Sequence, residues 1–214
     1  NRTNGRNYTA SLLVDINGDG RLDLVLGPGD AGPNEVLMND GAGRFTRDNR
    51  FVLPPKILGT RSTTVSIASA DFNGDGAPDL LLGTTGGSEL LPDGRTIDGY
   101  GIPGLQLLLN RGDGTFYDAT DSSGFTWSAA ERWVIWTRLA DFDADGRTDI
   151  LAMVATTNYT GQIHRLFLSR GAGRFVDASE AYTPTENFTS FYQVGDFDRD
   201  GRVDILSANT ASVT

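Results

Sequence analysis

The chain has 214 residues, 28 acidic and 18 basic, and a formal net charge of −10. That balance repels a phosphate backbone, which needs clustered Lys and Arg. No apolar run approaches the ~18–20 residues that span a bilayer, so neither nucleic-acid binding nor membrane insertion is expected. Cysteine is absent, which removes disulfides, zinc–thiolate sites and thiol catalysis together.

The predicted elements repeat along the chain. A strand-like run over 8–14 leads into an acidic loop, Asp15-Ile-Asn17-Gly-Asp19-Gly20-Arg21-Leu-Asp23, and a second run over 24–26 follows it. A third strand, from 36–38, enters the turn Gly41-Ala-Gly43-Arg-Phe45. The order recurs as a run over 64–70, the loop Asp71-Phe-Asn73-Gly-Asp75-Gly76-Ala77-Pro-Asp79, a run over 80–82, and a strand from Leu105 to the turn Gly112-Asp-Gly114-Thr-Phe116. It recurs again as 133–140, the loop Asp141-Phe-Asp143-Ala-Asp145-Gly146-Arg147-Thr-Asp149, 150–154, and 165–168 with the turn Gly171-Ala-Gly173-Arg-Phe175. A last copy has 191–195, the loop Asp196-Phe-Asp198-Arg-Asp200-Gly201-Arg202-Val-Asp204, and 205–206. A Gly-x-Gly between β-rich runs signals a hairpin, because glycine supplies φ > 0.

The loops recur at intervals of 56, 70 and 55 residues, a period that marks a repeat architecture. No stretch carries a helical period. The expected fold is all-β: β-propeller-type repeats of four-stranded antiparallel blades, three complete units and a half unit. They form a single domain over 1–214, with units at about 8–50, 64–121, 133–179 and 190–214.

The four loops hold 14 of the 28 acidic residues. Carboxylates crowded this closely repel one another unless a cation lies between them. One divalent ion per loop would take the net charge from −10 to −2. Oxygen-bearing side chains fall at loop positions 1, 3, 5 and 9, with Gly at 6 for the sharp turn and a backbone carbonyl available at 7. All-oxygen ligation suits Ca²⁺, whereas Mg²⁺ demands a stricter octahedron. The Glu that closes an EF-hand loop at position 12 is replaced by Leu26, Leu82, Ala152 and Ser207 on apolar runs, so strands rather than helices follow.

These loops, with the Asn-x-Gly-x-Gly-x-Phe turns, resemble FG-GAP/VCBS repeats, the calcium-binding blades of integrin α-subunit headpieces and of many secreted propellers. The Phe-Gly and Gly-Ala-Pro signatures of that family survive as Leu26-Gly27-Pro28 and Leu82-Gly83-Thr84. The resemblance implies up to four Ca²⁺ ions. Its ligands map onto Asp15, Asn17, Asp19 and Asp23, then Asp71, Asn73, Asp75 and Asp79. The third set is Asp141, Asp143, Asp145 and Asp149, and the fourth Asp196, Asp198, Asp200 and Asp204. Backbone carbonyls of Arg21, Ala77, Arg147 and Arg202 would complete the shells.

Three and a half units do not close a propeller by themselves, and the second strand of the fourth unit, near 203–209, is expected to be an open edge. The chain opens on Asn1 rather than Met, which fits a processed product or a fragment. Either a longer propeller or neighbouring copies that complete each other's blades would satisfy that edge.

Four sequons, at Asn1, Asn7, Asn158 and Asn187, are candidate N-glycosylation sites and would place the protein outside the cell or on its surface. Arg111-Gly112-Asp113 spells an adhesion tripeptide but occupies the second unit's hairpin turn. Residues 84–104 form the longest insertion, read as a surface loop or a binding loop. Trp127, Trp133 and Trp136 either pack in the core or stack on sugar rings. His164 is the only histidine. No nucleophile elbow accompanies it, and the paired aspartates lie inside the proposed metal loops, where a cation lowers the pKa that a general acid needs raised. The expected function is therefore non-enzymatic: a calcium-binding, structural or adhesive module with a capacity for self-association. The alternative is a carbohydrate-binding propeller, or the accessory domain of a polysaccharide-degrading enzyme.

Overall fold

The computed structural model describes residues 7–29, 32–57, 62–86, 88–90, 96–98, 104–128, 131–156, 162–182 and 189–209. Its strands are β1 (Tyr8–Val14), β2 (Asp23–Pro28), β3 (Glu35–Asn39), β4 (Phe45–Thr46), β5 (Thr63–Ala70), β6 (Asp79–Thr85), β7 (Ser88–Leu90) and β8 (Thr96–Asp98). They continue with β9 (Gly104–Asn110), β10 (Phe116–Asp118), β11 (Glu131–Ala140), β12 (Asp149–Thr156), β13 (Gln162–Gly171), β14 (Arg174–Asp177), β15 (Thr189–Gly195) and β16 (Asp204–Asn209). One helical turn, α1 (Ser179–Tyr182), follows β14. Among the described residues no helix is long and apolar enough to cross a membrane.

The strands form three four-stranded antiparallel sheets, β1-β2-β3-β4, β5-β6-β9-β10 and β11-β12-β13-β14, then the pair β15-β16. The fold is thus all-β, with three complete units and a half. Among the described residues β16 pairs only with β15. The insertion of the second unit is not plain loop: it carries the two-stranded hairpin β7-β8. Strands of three residues are too short for a period-two pattern to show in sequence.

The core lies between consecutive sheets rather than inside any one of them. The run Leu80-Leu81-Leu82 shows why. Successive strand residues point to opposite faces. Leu80 and Leu82 pack with Val25, Val36 and Leu53 against the first sheet. Leu81 packs with Val134, Ile150 and Phe167 against the third. A strand buried on both faces must be apolar throughout, so the sequence has no alternation there. Beyond the third sheet, Leu151, Met153, Leu166 and Leu168 meet Val194 and Ile205 of the half unit. Truncating a leucine such as Leu81 to alanine would cost about 2–5 kcal/mol.

Glycine sets the spacing at two junctions. A Cβ on Gly27 would lie 2.7 Å from the Thr64 side chain, and one on Gly83 would lie 3.2 Å from Val134 Cγ1. In each case the next unit's first strand approaches the glycine backbone directly.

Candidate metal centres

Each acidic loop joins the first strand of a unit to the second. The first-position aspartate holds the loop's shape. In the first unit Asp15 Oδ1 accepts the amides of Gly18 (2.9 Å) and Asp19 (3.1 Å), and Oδ2 accepts that of Gly20 (2.8 Å). Asp71 does the same for Gly74, Asp75 and Gly76. Asp141 takes Asp145 and Gly146, and Asp196 takes Gly201. The sixth-position glycines have φ of +82° to +86°, the left-handed region that only glycine enters without strain.

The ninth-position aspartate has a second role that the sequence does not show. Asp79 Oδ2 accepts the Phe72 amide and Oδ1 the Asn110 amide of β9, both at 2.8 Å. Asp149 joins Phe142 (2.8 Å) to Ser169 of β13 (2.7 Å). Asp23 joins Ile16 (3.4 Å) to Asn39 of β3 (2.9 Å). These aspartates are buried, and each ties its loop to the third strand. The half unit has no third strand among the described residues, and Asp204 accepts only Phe197 (2.9 Å). Burial, together with the neighbouring carboxylates, pushes the Asp23 and Asp149 pKa up, and pushes Asp79 to about 6, against the pull of the two amides.

The structure brings positions 1, 3 and 9 together in the third and fourth loops. One carboxylate oxygen each from Asp141, Asp143 and Asp149 lies within 4.8 Å of the others, and the same holds for Asp196, Asp198 and Asp204. In the first two loops position 3 is an amide, and Asn17 and Asn73 donate to the Asp19 and Asp75 carboxylates. The fifth-position residues Asp19 and Asp145 are turned to the side, where they pair with Arg21 and Arg147 of their own loops. Those arginines also donate to the third strand, at the carbonyls of Asn39 (3.0 Å) and Ser169 (3.3 Å). The sequence suggested only the backbone carbonyls of Arg21 and Arg147; their side chains as counter-charges came unannounced. Asp143 Oδ1 is shielded from solvent and takes no hydrogen bond among the described residues. A carboxylate oxygen in that condition fits a hard cation.

The loops also meet the next unit's hairpin. The Asn110 side-chain Nδ2 donates to the carbonyl of Ile16, at loop position 2, at 2.8 Å.

Other candidates fall into place around this scaffold. Arg111-Gly112-Asp113 is a hairpin turn: the Asn110 side chain accepts Gly112 N–H and Asp113 accepts Thr115. Trp127 packs against Phe125 and Phe167. Trp133 is buried, and only Trp136 of the three tryptophans is exposed, with Arg138 over its ring. His164 is buried in β13 and its pKa is pushed down. Asn7 is exposed beside β1. Asn1, Asn158, Asn187 and most of the 84–104 insertion lie outside the described residues.

Four-stranded antiparallel units that pack face to face, each with an aspartate-rich loop between its first two strands, define a propeller-type repeat protein. The family model of the FG-GAP-like repeat matches residues 15–82 and 96–152, more than half of the chain, and the chain belongs to that family. Human cartilage acidic protein 1 is 27% identical over 206 residues, which cover 92% of this chain and 28% of that protein. The chain therefore spans under a third of the length of this curated relative. A solved structure of an Agrocybe aegerita lectin, described as recognising non-reducing terminal N-acetylglucosamine, superposes with a TM-score of 0.48 at 21% identity. That match covers 91% of this chain and 45% of that one.

Proposed function

We propose that the chain is a non-enzymatic, extracellular, calcium-stabilised propeller module with a structural or adhesive role. One observation carries the reading: Asp141, Asp143 and Asp149 converge within 4.8 Å, and Asp143 Oδ1 is buried with no donor among the described residues. Three carboxylates in that arrangement repel one another, and a Ca²⁺ ion converts the repulsion into attraction. The ion would pin the first-to-second-strand loop of each unit. Expected affinity is on the order of 10⁻⁴–10⁻³ M, as in extracellular modules. Among the described residues the three-carboxylate clusters belong to these loops, where a bound cation would deny them the raised pKa that a general acid needs.

The edge of β16 that pairs with no strand among the described residues is where further strands of the same type, from a longer chain or a second copy, would complete the fourth unit. Calcium titration by calorimetry, with melting temperature measured in calcium and in chelator, tests the central claim. Heat of binding and a higher melting temperature in calcium are expected. A flat titration with an unchanged midpoint would overturn it. Particle mass in solution tests the assembly.

A further inference from the structure

The three complete units differ where the fourth strand ends. By register, Val36 of β3 stands opposite Val25, Leu107 of β9 opposite Leu81, and Leu166 of β13 opposite Leu151, so the three are equivalent. In the second unit the chain after β10 closes over Leu107. The Ala119 amide donates to the Leu107 carbonyl (2.9 Å), and the Leu107 amide donates to the Thr120 hydroxyl (3.0 Å). The third unit repeats this with Ala178 on the Leu166 carbonyl (2.8 Å) and Leu166 on the Ser179 hydroxyl (3.0 Å).

In the first unit the equivalent pair is Asp48-Asn49, and it does not close. Pairing stops at Thr46. The Asp48 carbonyl accepts the Phe51 amide (3.0 Å), as the Ala119 and Ala178 carbonyls accept those of Ser122 and Ala181 (both 3.1 Å). What differs is that Arg47 stands where Asp118 and Asp177 hold the Thr120 and Ser179 amides, and Asp48, one residue later, takes the Arg50 amide (3.0 Å) and guanidinium. No closing bond to Val36 forms among the described residues. A cavity of about 250 Å³ opens between the Pro33–Val36 stretch and residues 47–52. In its wall Asn34 is 5% exposed. Its Oδ1 accepts the Thr64 hydroxyl (2.7 Å), while its Nδ2 finds no acceptor among the described residues.

We infer that this cavity is a binding site for an extended peptide segment bearing a small residue followed by Ser or Thr, which pairs with the free edge of Val36. The sister units supply the template, since the same edge takes Ala-Thr and Ala-Ser there. An incoming amide N–H would donate to the Val36 carbonyl, and the hydroxyl would accept from the Val36 amide. Phe51 adds an apolar wall. The volume falls below that of a drug-sized pocket, about 300 Å³ and upward, and suits a dipeptide-sized insertion. Strand addition to an open edge is an established recognition mode. This site is independent of the calcium loops.

The test uses the full chain, labelled with ¹⁵N, and the synthetic peptide acetyl-Gly-Ala-Thr-Gly-amide. A saturable shift of the Val36 amide resonance is expected. The peptide with Val for Thr should bind about three- to tenfold more weakly, the worth of one hydrogen bond. The triple variant Arg47→Asp/Asp48→Ala/Asn49→Thr restores the sister sequence Asp-Ala-Thr, including the aspartate that holds the Thr120 and Ser179 amides. It should fold the chain's own segment onto Val36, raise hydrogen-exchange protection there, and weaken peptide binding by at least about tenfold. No shift at Val36, equal binding of the two peptides, or unchanged binding to the triple variant would each overturn the proposal.

Discussion

The Gly173 amide donates to the Phe72 carbonyl at 2.9 Å, across the boundary between the second and third units. Between the first and second units the Asn110 side chain makes the corresponding link, its Nδ2 donating to the Ile16 carbonyl at 2.8 Å. In both, position 2 of one acidic loop receives the glycine hairpin region of the next unit. Loop order is therefore coupled to the neighbour's hairpin. Asp71→Ala removes the acceptor of three loop amides and should destabilise the protein by about 1–3 kcal/mol. Hydrogen exchange should accelerate at Gly173, in a unit the substitution does not touch. Unchanged protection there would refute the coupling.

The buried ninth-position aspartates set a pH dependence for the metal-free protein. Asp79 titrates near 6 when folded, against 3.8 for an unperturbed carboxyl. The folded state thus holds this proton more tightly than the unfolded state does. Stability contributed by protonation is present at low pH and lost as pH rises through that window. Asp23 and Asp149 act in the same sense, and buried His164 opposes them below its ordinary 6.5. In chelator, the change in melting temperature from pH 5.5 to 7.5 should be less negative, or more positive, once Asp79 is replaced, so Asp79→Asn should gain on the wild type as pH rises. Calcium, which holds the carboxylates ionised, should stabilise more at pH 7.5 than at 5.5. Scanning calorimetry at both values decides this.

Arg147 competes with the proposed ion for Asp145, as Arg21 does for Asp19. Half-exposed pairs of this kind are worth about 0.2–1 kcal/mol. Arg147→Ala should therefore tighten calcium binding to the third loop by about two- to fivefold at low salt, and the gain should shrink as salt screens the pair. A weaker site in the variant would show instead that the arginine organises the loop.

Position 4 is glycine in the first two loops but Ala144 and Arg199 in the others, at φ of +59° and +65°. A side chain there carries left-handed strain. Ala144→Gly should stabilise by about 0.5–1 kcal/mol, a rise of roughly 1–4 °C in melting temperature. Thermal melts of the single variant check the sign.

The strands and loops were legible because their signals are local: apolar runs, Asp and Asn at alternate positions, and Gly-x-Gly turns. What lay hidden depended on partners far along the chain. Glu131 starts β11 fully buried because Arg165 of β13 neutralises it, and no apolar pattern marks such a residue. The anchoring role of Asp79 exists only once β9 lies beside β6. The early end of β4 follows a turn that matches its sisters; the change from Asp118-Ala119-Thr120 and Asp177-Ala178-Ser179 to Arg47-Asp48-Asn49 separates them.

Met153 stands in β12 where Gly27 and Gly83 stand in β2 and β6. Two seams of the stack thus close on bare main chain, while the third is filled by a pliable thioether. Mechanical compliance concentrates at that seam, so pulling or dilute denaturant should part the half unit from the third sheet before the earlier sheets separate.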